Sequence, residues 1–95
     1  GGITIAELFS KKKSYEGKTT RIKGQIVRYS NDILGKNWIH IQDGSEYEGN
    51  YDLTVTTNQN VNVGDTVVFE GEISLNKDLG YGYVFEVIME NAVLK

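Results

Sequence analysis

Apolar and polar residues alternate along most of the chain, and this period of two predicts β-strands. The clearest case is residues 35–44, which begin at a glycine and end at the turn dipeptide Asp43-Gly44. Ile39 and Ile41 share one face of this strand, which we predict to be core. The opposite face carries three other side chains: Trp38, His40 and Gln42. We therefore interpret residues 35–44 as the central strand of a small barrel, with a candidate contact surface on its outer face.

The same alternation predicts further strands at residues 18–30, 51–57, 66–74 and 83–89, with residues 91–95 continuing the sheet as a short tail. Gly24 interrupts the first strand, and a glycine there is typical of a bulge or a tight bend at a barrel corner. Ile22 and Ile26 are expected in the core, and the edge or outer face is expected to carry Arg21, Lys23 and Arg28. Five short strands with a bent first strand predict a mainly β fold that closes into a barrel.

Helical spacing occurs only near the start of the chain. Thr4 followed by Glu7 fits a capping box, and Ile5, Leu8 and Phe9 recur at core-facing helical positions. We predict a short helix at about residues 5–13 that ends near residue 17. The expected organisation is an N-terminal helix in residues 1–15, packed on a barrel formed by residues 16–95.

Composition limits the chemistry. The 95 residues suffice for one domain with a modest core, and the 11 Gly and six Tyr favour strands joined by tight turns. The absence of Cys excludes a disulfide, a thiolate zinc site and a cysteine nucleophile. No nucleophile motif, phosphate-binding loop or catalytic carboxylate pair stands out, so we expect neither enzymatic activity nor a cofactor. These residues contain no transmembrane run and no signal peptide.

The net charge of −3 does not favour strong nonspecific binding of nucleic acid. The charges are nevertheless segregated along the chain. Residues 1–36 hold eight Lys or Arg and three acidic residues, a balance of +5, and the remainder holds two and ten, a balance of −8. A basic face would result if the first third of the chain lay on one side of the fold.

Several glycine-containing segments follow one another in a recognisable order: residues 16–18, 21–27, 35–44 and 63–73. This order resembles the OB-fold domains of the anticodon-binding type, found in some aminoacyl-tRNA synthetases and in single-strand-binding factors. It is more similar still to small stand-alone bacterial OB-fold proteins, which are described as nucleic-acid-binding and are often exported or lipid-anchored. Residues 75–83 look typical of that smaller group. The resemblance covers about residues 16–94 and implies a five-stranded Greek-key barrel. This sequence departs from the pattern in one respect, because it lacks the helix that many OB-folds place between the third and fourth strands.

OB-folds bind ligands on the face of strands 2 and 3 and on the loops between strands 1 and 2 and between strands 4 and 5. Transferred to this chain, the resemblance implies a ligand-binding surface of ten residues: Arg21, Lys23, Lys36, Trp38, His40, Thr54, Thr56, Lys77, Tyr81 and Tyr83. Its aromatic rings would stack on bases and its cations would contact phosphates. The resemblance also implies an exported or periplasmic protein whose leader lies outside these residues.

Individual residues of this surface have a second interpretation. Trp38 is either a stacking platform or a packing residue that covers the open barrel end or lies under the loop around Tyr81. His40 is the single His of a chain without Cys, so we expect a surface cross-strand partner rather than a general base or metal ligand. The spacing of the acidic residues matches no metal-binding loop, and no metal site is predicted.

Two functions remain open from the sequence. The first is a non-catalytic module that binds single-stranded DNA or RNA and would show salt-sensitive affinity. The alternative is a protein- or oligosaccharide-interaction module of the cell envelope that does not bind nucleic acid. A buried Trp38 would favour this alternative. The second function would give the protein an acidic face: Glu46, Glu48, Glu70, Glu72 and Glu86. The sequence does not indicate the oligomeric state.

Overall fold

The computed structural model describes residues 2–78, 80 and 82–95, and one five-stranded sheet closes into a ring within them. Two short helices, α1 (Ile5–Ser10) and α2 (Lys12–Tyr15), come first in the chain. The strands follow in sequence order: β1 (Thr19–Ile33), β2 (Lys36–Gln42), β3 (Leu53–Thr57), β4 (Thr66–Asp78) and β5 (Val84–Leu94). The mainly β fold predicted from the alternation is confirmed.

Strands neighbour one another around the ring in the order β1-β2-β3-β5-β4, and β4 pairs with β1 to close it. β3 and β5 run parallel, whereas the other neighbouring pairs are antiparallel. β1 is long enough to pair with β4 along its first half and with β2 along its second half. Closure gives every strand a neighbour on each side over part of its length, whereas the outer part of the β4–β5 hairpin, residues 74–78 and 84–87, pairs only with itself.

β1 changes partners at Gly24 and Gln25. Gln25 lies opposite Thr66 of β4 and also opposite Gln42 of β2. A Cβ atom on Gly24 would lie 3.1 Å from the carbonyl oxygen of Gln42, so the strands approach closely at this corner. The predicted bend at Gly24 is therefore present, but the β-bulge lies further along, at Val27.

Inward-facing side chains of all five strands form one core. Ile22, Ile26, Ile39 and Ile41 are essentially fully buried, as the alternation predicted. The other strand residues of this core are Leu53, Val55, Phe69, Ile73, Val87, Met89 and Ala92. Ile5, Leu8 and Phe9 of α1 belong to the same cluster, which shows that the helix packs directly on the sheet.

α1 is attached to the ring by its first turn. The amide of Ile5 donates to Asp43 Oδ2 at 2.8 Å, and the amide of Ala6 donates to Ser45 Oγ at 2.9 Å. The amide of Glu7 donates to Thr4 Oγ1 at 3.0 Å, which is the predicted helix cap. Three amides that a helix cannot satisfy internally thus find side-chain acceptors, two of them in the turn after β2.

Several element boundaries differ from the prediction, and β1, for example, continues to Ile33 instead of ending at residue 30. The single helix predicted for residues 5–13 is interrupted at Lys11, whose backbone is non-helical. β4 and β5 form a longer hairpin than expected, and the predicted tail at residues 91–95 belongs largely to β5. Asn76 and Asn91 are residues typical of turns, and they have positive φ angles of 51° and 52°. β4 and β5 nevertheless continue through these two positions.

Candidate ligand-binding face

The outer surface of β1 and β2 carries two cations beside the single Trp and the single His. Arg28 lies opposite His40 in the ladder, and Ser30 lies opposite Trp38. Lys36 precedes Trp38 by two residues and therefore projects from the same face of β2. We call Arg28, Lys36, Trp38 and His40 the cationic strip. Neither Arg28 nor Lys36 forms an ion pair within the part of the chain that the structure describes.

The bulge at Val27 determines the position of Arg28. Strict alternation from Ile22 and Ile26 would turn Arg28 towards the core. The extra residue shifts the register, so that Ile26 faces Ile41 while Arg28 faces His40. Arg28 is consequently exposed on the strip. The ten-residue surface predicted from the sequence did not include this residue.

Trp38 is half-buried and takes part in two internal contacts. Its indole Nε1 donates to the carbonyl oxygen of Ile33 at 2.8 Å, which ties the ring to the turn between β1 and β2. Its ring stacks on Phe85 of β5, with centroids 5.9 Å apart and planes inclined by 27°. Trp38 therefore joins the two hairpins that flank this face. Packing, one of the two interpretations of this residue, is part of its role, while part of the side chain stays accessible.

His40 is held by a carboxylate. Its Nδ1 lies 2.6 Å from Asp52 Oδ1, and Gln42 Nε2 donates to the other carboxylate oxygen at 3.3 Å. Because an ionised carboxylate only accepts, this contact places a proton on Nδ1 and leaves Nε2 directed away from Asp52. His40 is thus oriented as a cross-strand surface residue, and Nε2 is the atom it can offer to a ligand.

Thr54 and Thr56 point outward by strand alternation but are not accessible. They lie opposite His40 and Trp38 of β2, and their exposed fractions are only 7% and 1%. Ile88, beside Thr54 on β5, is 1% exposed. Thr56 Oγ1 accepts the amide of Asn91 at 3.2 Å. These small side chains form a floor beneath their larger neighbours, so direct contact with a ligand falls to the residues around them.

The remaining predicted site residues lie apart from the strip. Arg21 and Lys23 are exposed on the half of β1 that faces β4, and Arg21 Nε binds Glu70 Oε2 at 2.6 Å. This hydrogen bond from Arg21 lowers the pKa of Glu70. Lys77 Nζ lies 3.6 Å from Glu90 Oε1, a mostly buried carboxylate. Tyr83 is 68% exposed near the end of the β4–β5 hairpin, and Tyr81 lies outside the described residues.

The charge segregation of the sequence appears as ion pairs between distant segments. Among the residues that the structure describes, four Lys or Arg side chains have a carboxylate partner: Lys12 with Glu86, Arg21 and Lys95 with Glu70, and Lys77 with Glu90. In two of these contacts a cation from the first third of the chain meets an acid from β4 or β5. These pairs neutralise two of the cations of the first third of the chain. Arg28 and Lys36 of the strip are among the cations without an ion pair in the described residues, and they lie beside Trp38.

A second surface feature lies at the helices. A cleft of about 490 Å³ separates the α1–α2 segment from the loop around Tyr47, and it is lined in part by Lys11, Lys12 and Lys13. Lys12 is engaged with Glu86 there at 3.1 Å. Within residues 2–78, 80 and 82–95, no three His, Asp or Glu side chains are grouped as metal ligands. No helix in the described part of the chain is long and apolar enough to cross a membrane.

Compared with known proteins, the chain matches no protein-family model and has no significant sequence match among curated proteins. We therefore infer function from the geometry of the strip and of the two hairpins beside it.

Proposed function

We propose that the ring is an OB-fold and that the chain is a non-catalytic module that binds single-stranded nucleic acid on the cationic strip. The strand order β1-β2-β3-β5-β4 with a parallel β3–β5 pair supports the first part, together with the resemblance of residues 16–94 to OB-fold domains. In such barrels, the surface around strands 2 and 3 and the loops 1–2 and 4–5 binds oligomers. Trp38 touches both flanking hairpins at that place through Ile33 and Phe85.

One observation carries the choice of ligand. Arg28 and Lys36 lie on the same face as Trp38 and His40, and neither cation is neutralised by a carboxylate of the described chain. Cations that track a phosphate backbone beside aromatic rings are the recurring design of single-strand-binding grooves. The accessible part of Trp38 offers a stacking surface worth roughly 1–3 kcal/mol per base.

The strip carries two cations, and this small number favours a single strand and a low affinity. Two phosphate contacts give a salt dependence of log K against log salt with a slope of about −1.4 for a single strand. The net charge of −3 adds no long-range attraction. We therefore expect dissociation constants well above the micromolar range at physiological salt and tighter binding at low salt.

The direct test is fluorescence anisotropy of a labelled 12-nucleotide oligo(dT), titrated with the protein at several salt concentrations. Arg28→Ala should reduce the magnitude of the salt slope by about 0.7, since one phosphate contact is removed. Trp38→Leu should lower the affinity at every salt concentration by an order of magnitude, because it removes a stacking ring. Thermal melts of each variant check that the fold persists.

Lys18→Ala is the matched control, because it removes one positive charge from an exposed site just before β1, away from the strip. It should change neither the slope nor the affinity beyond a small general effect. Binding that does not depend on salt, or an equal loss in Lys18→Ala and Arg28→Ala, would contradict the proposal.

A further inference from the structure

Three residues that point outward on β3 and β5 are nevertheless buried. Thr54, Thr56 and Ile88 alternate with core residues of their strands, yet they are only 7%, 1% and 1% exposed. Ile88 does not belong to the core cluster, so it is buried on the outer side of the sheet. Short side chains such as threonine do not bury one another on an open face. Another part of the chain therefore covers the outer face of β3.

The stack of Trp38 and Phe85 identifies the covering segment. β2 and β5 flank β3 on its two sides, so their backbones are two strand spacings apart, roughly 9–10 Å. The two rings nevertheless stack with centroids 5.9 Å apart. Trp38 points outward, because it alternates with the buried Ile39. The rings therefore meet above the outer face of β3, and Phe85 covers one face of the indole.

The left-handed residue Asn76 explains how Phe85 reaches this position. Counted by twos from the core residues of β4 and β5, Lys77 and its cross-strand partner Phe85 would face the interior. Asn76 precedes Lys77 with a φ of 51°, which breaks the alternation. Phe85 consequently contacts the outward-facing Trp38. Lys77 Nζ lies 3.6 Å from Oε1 of Glu90, another outward-facing residue of β5. The end of the hairpin is thus turned over onto β3.

This turned-over part, residues 74–78 and 84–87, is called the outer hairpin below. It pairs only with itself, because β1 and β3 pair with the parts of β4 and β5 that belong to the ring. One ring stack and one ion pair connect it to the face beneath. Oε1 of Glu90 is buried there and accepts no hydrogen bond from the described residues, so the closed position leaves a polar atom unsatisfied. A segment attached in this way can open while the ring stays folded.

We propose that the outer hairpin is an autoinhibitory cover, which a ligand displaces in order to reach the outer face of β3. A base that stacks on the face of Trp38 covered by Phe85 competes with the Phe85 ring for the same surface. A surface that is available only in the open state has an apparent affinity reduced by the fraction of open molecules. This agrees with the weak binding expected of the strip. The ligand, single-stranded nucleic acid, rests on the function proposed above, whereas the opening of the cover does not.

Two variants test the cover by the sign of their effect on binding of 12-nucleotide oligo(dT). Lys77→Gln removes a positive charge, so it would weaken binding if Lys77 contacted phosphate. Because it also releases the cover, we expect binding to be roughly two- to fivefold tighter instead. Phe85→Ala should tighten binding roughly three- to tenfold, through loss of one aromatic pair that competes with the ligand. A stacking platform at Phe85 would give the opposite sign.

Lys18→Gln is the matched control, because it makes the same charge change at an exposed site just before β1. It should not tighten binding.

Acrylamide quenching of Trp38 fluorescence measures opening without an oligonucleotide. Trp38 is the single Trp of the chain, and its ring is covered by Phe85 rather than by Lys77. The quenching constant should rise in Lys77→Gln and stay at the parent value in Lys18→Gln. An unchanged constant in Lys77→Gln, or weaker oligonucleotide binding by Phe85→Ala, would overturn the cover. A raised constant in a set of proteins that do not bind oligo(dT) would support the cover and overturn the function proposed for the strip.

Discussion

At the scale of single residues, Asp43 shows how one side chain can hold two elements together. The sequence predicts a turn at Asp43-Gly44, and the chain bends there just after β2, with a φ of 85° at Gly44. The carboxylate also accepts from the Ser45 hydroxyl at 2.5 Å and from the first amide of α1 at 2.8 Å. Partial burial raises the pKa of Asp43, but the hydrogen bonds from Ser45 and Ile5 outweigh it and hold the pKa below its usual value.

This depressed pKa has a defined consequence for stability. A carboxyl with a lowered folded-state pKa stabilises the native state above its unfolded pKa of about 3.9, and the contribution disappears as the pH falls through the folded value. Asp43→Asn should therefore lower the free energy of unfolding at pH 7 by about 1–2 kcal/mol, through loss of the charged helix cap. The difference from the parent chain should shrink below pH 4. Urea unfolding at a series of pH values measures both.

Asp65→Asn is a suitable comparison, since Asp65 follows Gly64 in another exposed turn and its side chain makes no hydrogen bond to the described residues. It should have little effect at any pH. A destabilisation of Asp43→Asn that persists undiminished at pH 2 would show that the charge of Asp43 is not responsible.

At the scale of elements, β1 bends where the sequence places a glycine. A Cβ on Gly24 would lie 3.1 Å from the carbonyl oxygen of Gln42 and 3.2 Å from Cβ of Ile41. These atoms belong to the facing strand and cannot withdraw without disturbing the ring. Gly24 does not have a positive φ, so its backbone conformation does not require glycine. The close approach of β1 and β2 is the reason why a side chain is excluded at this position.

Gly24→Ala should destabilise the protein by about 1–3 kcal/mol, the range for overpacking a well-packed interior. The neighbouring Lys23→Ala, at an exposed position of the same strand, should stay within about 0.5 kcal/mol of the parent chain. Chemical denaturation of the two variants side by side measures the difference. Equal stability of both would show that the corner is looser than the structure indicates.

The elements differ in how far the sequence determines them. β2 could be predicted almost to the residue, because alternation and flanking glycines agree there. The bulge at Val27 could not, since an exposed valine in a strand carries no local signal. Arg28 lies on the outer face as expected, but the predicted ten-residue surface did not include it. The strand predicted for residues 66–74 ended too early, because the paired β4 continues through Asn76, which takes a left-handed conformation.

At the scale of the whole molecule, the alternation was sufficient to predict a mainly β fold, and the ring of five strands agrees with it. The interior could be predicted because it depends on the period of two. The accessibility of outward-facing side chains could not be predicted, because it depends on how neighbouring long side chains cover shorter ones. Thr54 and Thr56 are the clearest case. The alternation correctly predicted that they point outward, but they are buried and therefore not accessible to a ligand.

Long-range pairing also decided the charge distribution. The cations of residues 1–36 and the later acids are far apart in sequence, but the ring brings β1 beside β4 and α2 beside β5. Arg21 thereby meets Glu70, and Lys12 meets Glu86. A count along the chain therefore overstates the free positive charge of residues 1–36, because the fold pairs two of these cations with acids of β4 and β5.

The most direct test of the central claim is a ¹H–¹⁵N correlation spectrum of the protein, recorded while oligo(dT) is added at low salt. The indole N–H of Trp38 is the single signal of its kind, and it reports from the middle of the strip. Binding at the strip predicts shifts of that signal and of the amides of Arg28, Ser30, Lys36 and His40, and these shifts should reverse when salt is added. Shifts confined to the lysines of the α1–α2 cleft, or none at millimolar oligonucleotide, would contradict it.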